Sequence, residues 1–297
     1  MSRRHLVMLI LLSAIWGASF MFIKVAVREI DPLTTVLGRV ALGALALGML
    51  VPVQMHGGDA LRQLRQHALP IAVAGLLNST IPFWLLFWAE TRIDSGLAAI
   101  LQASAPLFTA LLALGFARSE RVSGLRLAGF LLGFAGVALL VGGVPRGSIL
   151  AGVAVIGTAL CYAIAALYAG RRLERVPPLV VSFGTLVAAT VVALGPGLAE
   201  LPDATPGWKA IGSVVALGVG GSAVAYILYY AIIAGAGASR AILVTYLVPP
   251  MALAWGAALL GESVTPSDLG GLALILAGVA LGTRAARRRR EPGGAPA

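Results

Sequence analysis

The sequence predicts an all-α integral membrane protein, with ten transmembrane helices arranged as two inverted five-helix repeats. Three observations carry that prediction. The first is composition: of 297 residues, 59% are hydrophobic and only 11% charged, where soluble domains carry about 25% charged residues. The second is recurrence, because apolar stretches of the roughly 20 residues that cross a bilayer follow one another with only short polar breaks. The third is self-similarity at an offset of about 142 to 146 residues, where "LAGFLLGFAGVALL" at 127–140 overlays "LGGLALILAGVALG" at 269–282. The same register pairs Glu120 with Glu262, Pro106 with Pro250, Pro32 with Pro178 and Gly75 with Gly218. Each half holds five spans, an odd number, so the second half enters the membrane in the opposite sense to the first.

The spans are expected near 6–27, 33–54, 68–90, 94–117, 123–142, 149–170, 177–199, 208–233, 237–260 and 266–285. They group into a first repeat at 6–142 and a second at 149–285, followed by a disordered cytoplasmic tail at 286–297. Little length remains for a soluble domain, so function is expected within or between the helices.

The first span opens with "MSRRHLVMLILLSAIWGASFMFIK", a basic segment and an apolar run like those of a secretory signal. That reading fails, because the run is long, no A-x-A cleavage site follows and nine further spans come after it. The span carries Trp16 near its middle and Lys24 near its outer end. The second carries Arg39, and the third carries Asn78, Ser79, Phe83 and, at its outer end, Glu90. Lys24, Arg39 and Glu90 are the ionisable residues placed within spans, where charge is costly and marks function by default. They are expected to meet as an outer charge cluster, the competing reading being long side chains that snorkel to the interface. On that placement no cation lies at the midplane, which implies weak, broadly selective binding.

The fourth span holds Gln102 and Pro106, and the fifth a run of glycines that includes Gly129, Gly133 and Gly136. The sixth carries Cys161, the single cysteine, and Tyr162; the eighth carries Tyr226 and Tyr230. Tyr246 and Pro249-Pro250 fall in the ninth, and Gly271 and Gly278 in the tenth. Small-residue stripes let membrane helices approach closely, so spans five and ten are expected to pack on each other. A proline frees a backbone carbonyl and weakens a helix where it bends. Pro106 and Pro250 are therefore candidate hinges, against the plainer reading of static kinks. Trp16, Gln102, Tyr162 and Tyr246 lie mid-span, where an indole N–H or a hydroxyl facing lipid would lack a partner, so these side chains are expected to point inward. Packing alone would also turn them inward.

Arginine placement sets the topology. Most Lys and Arg fall on one side, at Arg3, Arg4, Arg62, Arg65, Arg118, Arg121, Arg126, Arg171, Arg172, Arg175, Arg240, Arg284 and Arg287 through Arg290; the other side holds Arg28, Arg92, Arg146 and Lys209. The positive-inside rule then places both termini in the cytoplasm of a bacterial inner membrane. The formal net charge of +10 thus reflects topology and lipid contact rather than a nucleic-acid face. No phosphate loop is present, and the only lysines are Lys24 and Lys209, so ATP is not the fuel. Neither the paired acids of a Mg²⁺-dependent membrane enzyme nor an intramembrane protease set is visible, and no catalytic residue, cofactor or metal is expected.

The stretches "AIWGASFMFIKVAV" in span one, "GRVALGALAL" in span two, "AP" in span four, "P" in span nine and the closing "GE" with "GGLALILAGVAL" resemble the EamA-type transporters of the drug/metabolite transporter superfamily. The resemblance runs over residues 6–285 and implies a five-plus-five fold and secondary transport. Several members export amino acids, and the resemblance points to export here. One departure is Arg118, which stands where the second half has Leu260, so the "GE" corner is intact only at Gly261 and Glu262. The expected cargo is a neutral, aromatic or otherwise bulky amino acid, held by Trp16, Asn78, Ser79, Phe83, Gln102, Tyr162, Tyr226 and Tyr246, which combine ring walls with neutral hydrogen-bonding groups. Another small metabolite or drug, or a nucleotide sugar, is the alternative. The partners are thus a small molecule and the bilayer; the oligomeric state stays open, a monomer included.

Overall fold

The computed structural model describes residues 2–55, 57–116, 125–143 and 148–290. Arg118, Glu120, Arg121 and Arg146, named above, lie outside these residues. The described chain is helical throughout. The first two helices are α1 (Arg3–Ala26) and α2 (Pro32–Gln54). Asp31 caps α2 by accepting the Leu33 N–H at 2.7 Å, and Pro32 enters the first turn, where its missing N–H costs nothing. Next comes α3 (Gly57–Gln66), a short polar helix where the sequence reading had only a loop, with an exposed Arg62–Asp59 pair at 3.2 Å.

The third rod is composite. It joins α4 (Ala68–Gly75), a π-helical stretch at Leu76–Thr80 and α5 (Ile81–Glu90). The fourth is broken into α6 (Ser95–Gln102) and α7 (Ala105–Phe116), the fifth is α8 (Leu125–Gly143), the sixth α9 (Ile149–Arg172) and the seventh α10 (Pro178–Ala199). The eighth joins α11 (Trp208–Val215), a π-helical stretch at Ala216–Val224 and α12 (Ala225–Ala236). The ninth comprises α13 (Ala238–Ala241), α14 (Val244–Trp255) and a third π-helical stretch at Gly256–Leu260, and α15 (Pro266–Arg290) closes the chain. Among the described residues, seven helical stretches are long and apolar enough to cross a membrane, and shorter apolar helices cover Leu127–Gly142, Val244–Leu260 and Pro266–Leu281. The final helix continues to Arg290, so residues 286–290 are helical rather than disordered. Ala and Arg, which dominate that segment, are strong helix formers.

Packing follows a regular scheme. Helix α8 lies along α15, α2 along α10, and α6 against α14. Helix α1 packs on α14 as α9 packs on α7, and α1 meets the eighth rod as α9 meets the third. Close approach between α8 and α15 requires small residues: a Cβ on Gly278 would stand 2.6 Å from the Gly129 carbonyl oxygen and from the Gly133 nitrogen. The main core runs between these pairs, with Phe87, Leu47, Ile100 and Ile275 fully buried.

The prolines do not sit at the breaks. In the fourth rod the chain unwinds at Ala103–Ser104, just before Pro106, which occupies the first turn of α7. In the ninth it unwinds at Ile242–Leu243, while Pro249 and Pro250 lie inside α14. Two successive prolines deprive the Tyr246 carbonyl of both its i+3 and i+4 donors. The strain is taken up one turn earlier, where Thr245 N–H bonds Ile242 O at 3.0 Å and Tyr246 N–H bonds Leu243 O at 3.1 Å in tight i+3 turns. The bend expected at Pro250 is therefore displaced toward the start of the rod, and Pro250 itself is exposed.

Candidate substrate site

A buried arginine organises the centre of the bundle. Arg39, on α2, is only 7% exposed. Its guanidinium carbon lies 4.0 Å from the Phe83 ring centroid and 5.8 Å from that of Phe87, two α5 side chains stacked at 6.0 Å. The charge stands within electrostatic reach of Tyr162, Tyr226 and Glu90. Lys24 acts elsewhere, donating to the main-chain oxygens of Glu90 and Ile93 at 2.7 Å each, which ties the end of α1 to the turn after α5. Glu90 is fully buried, and neither carboxylate oxygen has a hydrogen-bond partner. Among the described residues, then, Lys24, Arg39 and Glu90 form no ion pair. Lys24 and Glu90 share one end of the bundle, whereas Arg39 reaches the ring faces one and two turns before Glu90 on α5. Against the expectation of a site without a buried cation, this guanidinium lies inside the bundle.

A cavity of about 220 Å³ lies between the third, sixth, seventh and eighth rods, lined by Asn78, Ala166, Ser182, Thr185, Tyr226 and Tyr230 among others, and through Tyr226 it comes within electrostatic reach of Arg39. Asn78 and the buried Ser79 are carried by the π-helical stretch at Leu76–Thr80. Single-turn π segments re-aim side chains and recur at functional sites. Tyr226 and Tyr230 follow the π-helical stretch of the eighth rod and stack at 6.1 Å, and the Tyr230 hydroxyl shares a 2.8 Å hydrogen bond with Ser182. Ser182, Thr185 and Tyr230 belong to this wall although the sequence reading did not select them as site residues. For Tyr230 a signal was available in the repeat offset, which sets it against Phe87 of the first half.

The remaining candidates are more dispersed. Trp16 packs on Tyr229 at 5.6 Å, and its indole N–H donates to the Gly221 carbonyl at 3.2 Å, a bond that uses its one donor. Tyr229 in turn contacts Tyr230 at 5.7 Å, so an aromatic chain leads from Trp16 to the cavity. Tyr162 and Tyr246 are partly buried against the main core. Gln102, the last residue of α6, has a buried Oε1 without a partner, and so does Ser79 Oγ. The described residues contain no group of three or more His, Cys, Asp or Glu able to hold a metal.

A second, smaller cavity of about 160 Å³ lies at the opposite end of the rods, between Asp94, Gly96, Leu253, Glu262, Thr265 and Asp268. Glu262 dominates it. Its carboxylate accepts the Ser95 N–H at 2.9 Å, the Ser95 hydroxyl at 2.8 Å and the Gly96 N–H at 3.1 Å, capping the start of α6 from across the molecule. Carboxylates are favoured at helix N-termini by the free N–H groups and the dipole. Two glycines make the approach possible: Gly261 turns the chain with φ of +70°, and a Cβ on Gly256 would collide with Glu262 Oε2.

A bundle of apolar helices with a polar, aromatic-walled cavity inside it defines a multi-pass membrane transporter. The EamA-like transporter family model matches residues 4–142 and again residues 149–284, and the chain belongs to that family, whose members are transporters rather than enzymes. A "Probable terminal-alkyne amino-acid exporter" of Streptantibioticus cattleyicolor is 31% identical over 293 residues, with 95% of each chain covered. An "Uncharacterized inner membrane transporter YedA" of Escherichia coli K12 is 28% identical, covering 91% of this chain and 87% of its own. A protein of known crystal structure superposes with a TM-score of 0.65 at 22% identity, over 98% of this chain and 100% of the other, a likeness of fold.

Proposed function

We propose that this transporter exports neutral, aromatic or other bulky amino acids across a bacterial inner membrane by alternating access. In this reading, ten spans form two inverted five-helix repeats with both termini in the cytoplasm. The observation that carries it is the cavity lined by Asn78, Ser182, Thr185, Tyr226 and Tyr230, with Tyr226 within electrostatic reach of a buried guanidinium, a set that offers ring surface to a side chain and polar groups to an amino acid backbone. Its volume lies below the roughly 300–1,000 Å³ of drug-sized pockets, which favours a small metabolite over a drug or a nucleotide sugar. With the termini inside, the cavity lies in the cytoplasmic halves of α9 and α10, while the Glu262 contact closes the outer side. This is the arrangement an exporter has while it waits for cargo. Two further features support the repeat: the reciprocal packing of the rods and π-helical stretches in both the third and the eighth. The relative named as an amino-acid exporter agrees with the substrate class.

The test is counterflow in proteoliposomes. Vesicles preloaded with phenylalanine, leucine or tryptophan are expected to accumulate the labelled amino acid well above protein-free vesicles, whereas a nucleotide sugar gives no exchange. Exchange of nucleotide sugars but not of amino acids would replace this reading.

A further inference from the structure

Arg39 presents a problem of satisfaction. A guanidinium carries five N–H donors, no acceptor, and a charge that is kept at any working pH. Burying such a group without hydrogen bonds is among the more costly arrangements a chain can hold. Here Nε is buried without a partner, and no hydrogen bond or ion pair to Arg39 exists among the described residues. Phe83 supplies a ring face at 4.0 Å, but a cation–π contact of about 2 kcal/mol leaves the in-plane donors unused. Glu90, the one carboxylate within electrostatic reach, is equally unpartnered. The guanidinium and the Glu90 carboxyl thus share one buried neighbourhood without pairing, and the donors of Arg39 stay available to a third party.

The surroundings say what that party is. The guanidinium rests on the Phe83 face, with Gly221 on another side, where an added Cβ would lie 3.9 Å from a terminal nitrogen. Tyr226 and Tyr162, both within electrostatic reach of the charge, carry neutral hydroxyls, and Tyr226 also lines the 220 Å³ cavity. A planar anion entering past Tyr226 would meet a planar fork of donors stiffened by ring stacking. Bidentate pairing of that kind is what guanidinium geometry suits best.

We propose that Arg39 is the carboxylate-recognising group of the transport site, so that the carried solute must present a carboxylate near an apolar side chain. The inference rests on the amino-acid reading and sharpens it, because a solute without a carboxylate gains nothing from this charge. It also corrects the expectation of broad, weak selectivity: the site selects for the α-carboxylate while its ring walls tolerate varied side chains.

The experiment compares phenylalanine, phenylalanine amide and phenethylamine in counterflow and in thermal protection of the purified transporter. The wild-type protein is expected to exchange and be stabilised by phenylalanine at concentrations at least tenfold lower than either carboxylate-free analogue. Arg39→Gln is expected to abolish that preference, lowering phenylalanine flux at least tenfold, to the level of the amide in the same variant. Arg39→Lys, which keeps the charge but not the fork, should retain a preference reduced about threefold. Equal protection of the wild type by amide and amino acid overturns the inference without recourse to a variant, and so does a preference that survives Arg39→Gln. If the wild type responds to none of several amino acids, the export reading fails and takes this inference with it.

Discussion

Tyr226 and Trp16 are both aromatic residues near the middle of their spans, yet the structure gives them different work. Tyr226 borders the cavity and the Arg39 charge, whereas Trp16 spends its donor on the Gly221 carbonyl. Removing each polar handle separates the two roles. Tyr226→Phe is expected to weaken apparent substrate affinity severalfold in counterflow with little change in melting temperature. Trp16→Phe is expected to cost stability of about 1 kcal/mol, the worth of one buried hydrogen bond, seen as a lower melting temperature with affinity retained. The reverse pattern would move the site toward α1. At this scale sequence was informative about depth and poor about direction. The position of Arg39 along its span is readable from residue count, but a long side chain can snorkel outward or reach inward. Only the faces of Phe83 and Phe87 on a helix distant in sequence decide that it reaches inward. Asn78 and Tyr226 were legible because polar groups deep in apolar spans must find partners. Ser182 was not, since it lies close to a span end where hydroxyls are unremarkable, nor was Thr185, whose hydroxyl can bond within its own helix, as it does to Ser182 O at 3.0 Å.

Among the helices, the most informative contact is the cap that Glu262 places on α6. It closes one end of the bundle and gathers three carboxylates around one small cavity, with Asp94 and Asp268 beside Glu262. Burial raises the proton affinity of Asp94, and the negative charges of Glu262 and Asp268 add to this while Lys24 opposes it. A carboxyl whose folded pKa lies above its unfolded value near 3.9 contributes stability below that value and loses it as pH rises through the folded pKa. Acidification from neutral pH through that raised value is therefore expected to tighten this end. Melting temperature should rise over that interval in the wild-type protein and respond less in Asp94→Asn, measured by scanning fluorimetry. An unchanged pH response in the variant would assign the effect to another group. The sequence singled out Gly261 and Glu262 through family resemblance but not what the carboxylate binds, because the partner, Ser95–Gly96, is 166 residues or more away in the chain. The glycine stripes were easier to read: backbone contact between α8 and α15 follows from small residues at helical spacing. The prolines mark rods that unwind, at Ala103–Ser104 and at Ile242–Leu243, in each case upstream of the proline itself.

Over the whole molecule, the proposed export cycle would use the two cavities as the two ends of one pathway, shut where Glu262 grips α6. Rods three and eight bear π-helical stretches at the level of the site, and rods four and nine cross where Glu262 grips α6. If the halves exchange conformations around Arg39, the Glu262 contact must break each time the outer side opens, and its counterpart near the inner ends of the same rods must then form. Locking the outer contact should trap the cytoplasm-facing state. Cysteines replacing Ser95 and Glu262, in a background where Cys161, the only native cysteine, is Ser, provide two thiols that a short bifunctional reagent with a cleavable linker can join. Cross-linking is expected to reduce counterflow at least tenfold, with recovery after cleavage, while protection by phenylalanine persists because the inner cavity stays open. Each single-cysteine variant treated in the same way should keep its flux. Full transport by the cross-linked protein would mean that the solute leaves by a route that never separates α6 from the end of the ninth rod, and alternating access about this contact would have to be abandoned.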